Sequence, residues 1–291
     1  MSSPWLSAIR PKTLSIGVVP VLLGATIAHA EGALMQPVLL PLILLAALLI
    51  QIGTNLHNDA GDAVRGADGP DRIGPKRTVA EGWLSAAEVK RAAIGCFSAA
   101  LLIGLYMVKV GGLPVLIMGV LSIGAGVAYT GGRLPIAYTM LGELFVFLFF
   151  GVVAVSGTVY LLTLQWSIIS IWLGAAVGMH AAAVLVVNNY RDIDTDRRAA
   201  KLTLATHLGK RASRWLYLLL LALPFPLLMV VAELLQKPLL IWVIIPALLF
   251  ALYLGREIYR IPHGRGLNRL LAQTAQLQLL YGVLIILGIQ L

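Results

Sequence analysis

Charge is scarce in this sequence. Only 12 % of its 291 residues are Asp, Glu, Lys or Arg, against about 25 % in an average soluble domain, and the mean hydropathy is +0.89. These values exclude a water-soluble globule. Cysteine is scarcer still. Cys96 stands alone in an apolar run, which rules out an internal disulfide and a thiolate metal site. No low-complexity tract or long polar region interrupts the chain, so residues 1–291 are expected to form a single transmembrane domain. The formal charge is +9. In a soluble protein that excess would point to nucleic acid; here it fits the cytoplasmic bias of Lys and Arg in membrane proteins, and no nucleic-acid partner is expected.

What the chain has in abundance is apolar runs. They fall at about 13–30, 37–57, 86–108, 112–131, 138–161, 166–190, 213–233, 238–255 and 268–290. A helical crossing takes about 20 such residues, so the expected fold is an all-α integral membrane protein with about nine transmembrane helices in one bundle. Residues 1–12 read as an interfacial segment, with Trp5 and Leu6 ahead of Arg10-Pro11-Lys12. Arg10 and Lys12 before a run ending in Ala28-His29-Ala30 imitate a signal peptide. That run is long enough to span and many others follow it, so it reads as a retained first helix. With nine crossings and the N-terminus inside, the inner segments hold twenty Lys and Arg, and only Lys109 and Lys237 are left outside. The expected location is the cytoplasmic (inner) membrane, with the polar loops on its cytoplasmic side.

Two polar stretches stand out against this background. Asn55–Arg77 packs Asp59, Asp62, Asp68 and Asp71 among Arg65, Arg72, Lys76 and Arg77. If the preceding helix continues into it, Asn55/Asp59 and Asn58/Asp62 are i,i+4 pairs on one face. Asn188–Lys210 repeats the pattern, with Asn188, Asp192 and Asp196 at i, i+4 and i+8. A local match also links the two: Asp71-Arg72, Lys76 and Thr78-Val79-Ala80 against Asp196-Arg197, Lys201 and Thr203-Leu204-Ala205. One such loop by itself is more often a solvated stretch that stays out of the bilayer. Two in corresponding places predict two pseudo-repeated halves around a central cavity, with cytoplasmic loops at about 58–85 and 191–212. Clustered oxygen ligands suit a hard cation such as Mg²⁺, which is held by a few carboxylates plus substrate phosphates. The interleaved basic residues would meet the anion.

The stretches Asn58-Asp59-x-x-Asp62 with Gly66-x-Asp68, and Asn188-Asn189-x-Arg191-Asp192-x-x-x-Asp196, resemble the two aspartate-rich motifs of the UbiA-type membrane prenyltransferases. Within that superfamily the chain looks like the 1,4-dihydroxy-2-naphthoate polyprenyltransferases of menaquinone synthesis. The residues that carry this likeness are Arg10-Pro11-Lys12-Thr13, Asp71-Arg72-Ile73-Gly74-Pro75-x-Arg77, Tyr129-Thr130, Tyr138, Phe149-Phe150-Gly151 and Leu267-Asn268. Ala60 and His57 depart from the usual wording. The resemblance implies Mg²⁺-dependent transfer of a polyprenyl group from its diphosphate to 1,4-dihydroxy-2-naphthoate, with loss of CO₂. It further implies that Asp59, Asp62, Asp192 and Asp196 carry the metal, with Asn58 and Asn188 beside them. Arg65, Arg72, Lys76, Arg133 and Lys201 would complement the diphosphate. Rings such as Tyr129, Tyr138 or Phe149 would face the allylic cation.

Glu143 lies inside an apolar run, where a carboxyl group is costly and commonly functional. Deprotonating or orienting the aromatic substrate and a plain helix-packing hydrogen bond are both open to it. Tyr129 and Arg133 fit interfacial anchoring as well as diphosphate contact. Asp194 points away from the Asp192/Asp196 face. Two rival functions remain: prenylation of 4-hydroxybenzoate or another quinone precursor, and secondary transport, whose paired halves and broken helices look similar.

Overall fold

Helical structure carries further along the chain than the apolar runs do. The computed structural model describes residues 3–33, 37–66 and 72–291, and among them every regular element is helical. A short helix α1 (Pro4–Ile9) and a 3-10 turn lead into α2 (Ser15–Ala30) across a 44° bend. α3 (Leu39–Val64) and α4 (Ala86–Ala128) follow. Then α5 (Gly142–Phe147), a π-helical segment (Leu148–Val153) and α6 (Ala154–Thr163) run on without a break. α7 (Ile168–Arg198) is succeeded by α8 (Leu204–Ala222), α9 (Pro224–Leu234), α10 (Leu240–Val243), α11 (Ile245–Arg260) and α12 (Gly266–Gln290).

Six of the described helical lengths are long and apolar enough to cross a membrane, seven if α1 and α2 count as one. Nine is therefore an approximate count, and the difference has a physical origin. α4 holds two of the nine runs. At Gly112 its backbone leaves the helix with φ 64 and ψ −149, a conformation open to glycine because it lacks Cβ, and the two limbs fold back on each other. Phe97 of one limb and Gly126 of the other meet beside Thr54 of α3, where a Cβ on Gly126 would lie 2.6 Å from Thr54 Oγ1 and 3.2 Å from the Phe97 ring. The run at 238–255 is likewise split between α10 and α11.

α7 is the central helix of the second half. Leu173, Val177, Ala183, Val187 and Ile193 are fully buried in a core shared with α2, α6, α8, α9, α11 and α12. Against the π-helical segment the packing is backbone to backbone. A Cβ on Gly151 would stand 2.4 Å from both the Gly174 carbonyl oxygen and the Gly178 Cα, the close approach that small residues allow between membrane helices. Smaller clusters, around Ile43, Met107 and Val115 and around Leu56, Val89 and Phe97, join α3 to the limbs of α4. Large apolar side chains such as Leu102, Leu113, Leu121 and Leu249 point outward, presenting the surface that a bilayer covers.

α3 and α7 are counterparts. Each continues from apolar residues into its acidic cluster and ends only at Val64 and at Arg198. The loops expected to begin at 58 and 191 therefore begin later. The Asn and Asp side chains there bond to loops and to basic partners, which leaves the helical backbone ladder intact. Asn55/Asp59, Asn58/Asp62 and Asn188/Asp192/Asp196 thus do share helical faces.

Candidate active site

The ends of α3 and α7 converge on one cavity of about 940 Å³. Tyr138, on the turn after α4, donates from its hydroxyl to Asp62 Oδ1 at 3.1 Å. Over its ring sits Lys201 Nζ, 5.2 Å from the centroid, and the same Nζ stands 3.8 Å from Asp196 Oδ1. A second bridge crosses the mouth. Arg191 Nη1 donates to Asn268 Oδ1 at 2.7 Å, and Asn268 Nδ2 donates to the Ile73 carbonyl at 3.1 Å. The loop after α3 is thereby tied to both α7 and α12. Gly74 of that loop lies flat against the Arg191 guanidinium, where a Cβ would come within 2.9 Å of Nη2.

Each described motif acid has a resident partner. Asp62 faces the cavity, is 4 % exposed, and accepts from Arg77 Nη2 at 2.9 Å. Asp192 accepts from Arg191 through both oxygens, 2.8 Å from Nε. Asp196 pairs with Lys201, while its Oδ2 is buried and accepts no hydrogen bond among the described residues. Arg191 and Lys201 line the cavity; Asp192 and Asp196 stand behind them. Asp59 does something else. Its oxygens accept from the backbone N–H groups of Thr78 and Val79 at 3.1 and 3.3 Å, and it is absent from the cavity wall. It anchors the loop that carries Arg77, in place of the metal-facing position expected for it.

The remaining expected residues divide. Asn58, Arg72, Lys76, Tyr129, Asn188 and Lys201 line the cavity. Asn58 Oδ1 accepts from Thr130 Oγ1 at 2.8 Å, and Asn188 Oδ1 accepts from Arg191 Nη2 at 2.9 Å. Arg65 is committed elsewhere: its guanidinium donates to the carbonyls of Thr130 and Gly132, both at 2.6 Å, clamping the end of α4. Arg133 is exposed and away from the cavity wall. Glu143 Oε1 accepts from Asn189 Nδ2 at 2.9 Å, which places Asn189 between it and the cavity; its Oε2 is buried with no hydrogen bond among the described residues. Asp194 is exposed and pairs with Lys210 at 3.1 Å. Asp68 and Asp71 lie outside the described residues.

Sequence reasoning passed over Arg10, which it read as interfacial. Arg10 adopts a left-handed backbone (φ 58, ψ 64) just before Pro11 and lines the cavity, with Nη2 buried and hydrogen-bonded to nothing among the described residues. Burial, and after it the guanidiniums of Arg77 and Arg72, hold its pKa below the ordinary value, while Asp59 and Asp62 pull the other way. The signal was present in Arg10-Pro11-Lys12-Thr13. Arg77, Arg191 and Asn268 were likewise visible as motif letters without an assigned contact.

From this mouth the cavity runs past Phe145, Phe149 and Phe150 to Met107, Met118 and Leu161, with an almost wholly apolar lining. The donors at the mouth are oxygens, the chemistry a hard cation takes. Among the described residues no three Asp, Glu, His or Cys side chains are placed to hold a metal by themselves. Mg²⁺ is commonly held by one or two carboxylates, with water and substrate phosphate completing its shell. Asp62 and the unclaimed Asp196 oxygen fit that arrangement.

An α-helical multi-pass membrane protein with a charged mouth opening on a long apolar cavity is built for an amphiphile with an anionic head. Comparison with known proteins narrows the class. The UbiA prenyltransferase family profile matches residues 17–277. The 1,4-dihydroxy-2-naphthoate octaprenyltransferase of Escherichia coli (strain K12) is 40 % identical over 216 residues, covering 72 % of this chain and 70 % of that protein. The UbiA prenyltransferase domain-containing protein 1 of Homo sapiens is 30 % identical over 98 % of this chain and 82 % of its own length. Among solved structures, a UbiA homologue from Archaeoglobus fulgidus bound to GPP and Mg²⁺ superposes with a TM-score of 0.70 at 17 % identity, covering 99 % of this chain and 100 % of that one. A homologue from Aeropyrum pernix K1 gives 0.73 at 16 %, covering 97 % and 98 %. The chain belongs to the UbiA prenyltransferase family, and it is a membrane-embedded aromatic prenyltransferase.

Proposed function

We propose that the chain transfers a polyprenyl group from a polyprenyl diphosphate to 1,4-dihydroxy-2-naphthoate, releasing diphosphate and CO₂ to give the hydroquinone demethylmenaquinol, with Mg²⁺ as cofactor. The observation that carries this reading is the continuity of one cavity from Asp62, Arg10 and Lys201 at the mouth to Phe149 and Leu161 inside, a head-and-tail match to a lipid diphosphate. The names of the curated relatives supply the acceptor. The excess of Lys and Arg on one side supports a cytoplasmic site in the inner membrane, with lipid around the bundle.

Arg10, Arg72, Lys76 and Lys201 receive the diphosphate and stabilise the charge that develops as the allylic C–O bond breaks. Asp62 and Asp196, with Asp192, Asn58 and Asn188 nearby, would hold Mg²⁺ together with the diphosphate oxygens, and the ion would supply Lewis-acid stabilisation of the leaving group. Tyr129 and Phe149 line the cavity and offer ring faces to the allylic cation, each contributing about 0.5–2 kcal/mol; Tyr138 is outside the lining, its ring under Lys201, and holds Asp62 instead. The apolar wall keeps out water that would capture that cation. Glu143, acting through Asn189, orients the acceptor so that an electron-rich ring carbon attacks. Departure of the ring carboxylate as CO₂ then restores aromaticity. Asp59 and Arg65 shape the site by holding the loop and the end of α4.

Purified protein given Mg²⁺, an allylic diphosphate and equal dihydroxynaphthoate and 4-hydroxybenzoate tests this directly. Prenylated naphthoate product is expected. Product from 4-hydroxybenzoate alone would overturn the acceptor assignment, and no transfer in gradient-free detergent would favour transport.

A further inference from the structure

Three motif carboxylates among the described residues are already neutralised by side chains of the same chain. Arg77 lies on Asp62, Arg191 on Asp192 and Lys201 on Asp196. None of these pairs is an exposed surface contact, since the six side chains are between 1 % and 14 % exposed. Moreover, all three cations line the cavity, whereas Asp192 and Asp196 are screened from it by their partners. A divalent ion approaching the mouth therefore meets guanidinium and ammonium groups before it meets those two acids.

We propose that Arg77, Arg191 and Lys201 are exchangeable counter-ions: the diphosphate takes them over, and only then do the carboxylates become available to Mg²⁺. This rests on the function proposed above and adds two diphosphate-positioning residues, Arg77 and Arg191. Local charge compensation is the physical reason. Metal entering without an anion would leave three buried cations unpaired beside it, an unfavourable state at low dielectric. Diphosphate entering first gives the cations a better partner, because guanidinium groups bind phosphate oxygens in paired fashion, and frees one acid per cation. Arg191 is poised for the exchange by Asn188 and Asn268, which hold two of its donors whether or not Asp192 does. Once Lys201 has moved to the diphosphate, the buried Oδ2 of Asp196, which accepts no hydrogen bond among the described residues, is open to the metal.

The test uses purified full-length protein and two probes: Mn²⁺ alone, read by its EPR signal, and radiolabelled geranyl thiodiphosphate in EDTA. Arg191→Gln and Arg77→Gln are expected to tighten Mn²⁺ binding at least tenfold and to weaken metal-free thiodiphosphate binding at least tenfold. Arg191→Lys should restore much of the latter. Opposite signs on the two ligands distinguish exchange from misfolding, which weakens both. Unchanged or weaker Mn²⁺ binding in both Gln variants would overturn the proposal while leaving the prenyltransferase reading intact. If the unaltered protein binds no thiodiphosphate even with Mg²⁺, the prenyltransferase reading falls along with it.

Discussion

The side-chain amide of Asn268 donates to the carbonyl of Ile73, 195 positions earlier in the chain. Its oxygen meanwhile accepts from Arg191 beside Asp192. One short side chain thus sets the distance between the two acidic stretches. Asn268→Ala removes a charge-assisted hydrogen bond, a contribution of about 1.5–3 kcal/mol. We expect KM for the prenyl diphosphate to rise by roughly ten- to a hundredfold, with a smaller change in kcat and a lowered melting temperature. Steady-state kinetics beside a melting curve checks it.

Arg10 offers the mouth a guanidinium whose Nη2 is buried and donates to no partner among the described residues. Arg10→Ala is expected to lower kcat/KM by about a hundredfold or more, in line with loss of a charged contact to the leaving group. Arg10→Lys should recover only part of it, because a point charge does not reproduce paired donors. Equal activity in all three proteins would remove Arg10 from the site.

Gly151 is a packing requirement. A side chain there meets the backbone of α7 at 2.4 Å, and rigid backbone cannot rotate away. Gly151→Val should destabilise the bundle by about 1–3 kcal/mol or more, the usual range for overpacking. The solitary Cys96 makes the measurement simple, since a thiol-reactive fluorophore reports unfolding from one half-buried site.

Inside the tunnel, Gly157 leaves room for Met118. A Cβ on Gly157 would lie 3.1 Å from the Met118 sulfur, and both residues line the cavity. Gly157→Leu is expected to push Met118 into the tunnel and to cut kcat/KM for long prenyl diphosphates at least tenfold more than for short ones. Competition between long and short donors measures the shift.

Much of this was legible in the sequence, for reasons that differ by element. α3 and α7 could be followed into Asp62 and Asp196 because the Asn and Asp residues keep helical spacing after the apolar residues end. The break between the runs at 86–108 and 112–131 was legible and falls at Gly112; less legible was the run at 238–255, which reads as continuous but divides into α10 and α11. Asp59 and Asp62 carry the same chemistry three residues apart. Only the return path of residues 72–83 decides that one meets backbone amides and the other Arg77. That path is set by distant contacts such as Thr78 to the Pro4 carbonyl and Ser7 to the Lys76 carbonyl, which no local pattern encodes. Arg65 escaped for a similar reason: its reach to the carbonyls at the end of α4 depends on how two helices pack.

The most direct measurement is a structure of the protein with Mn²⁺ and a non-hydrolysable prenyl diphosphate, with the metal located by anomalous scattering. The account predicts manganese at about 2.0–2.6 Å from oxygens of both Asp62 and the Asp192/Asp196 pair, all around a single diphosphate, with the prenyl tail along Phe149. Metal confined to one acidic stretch, or a diphosphate seated in a separate cavity, would contradict it.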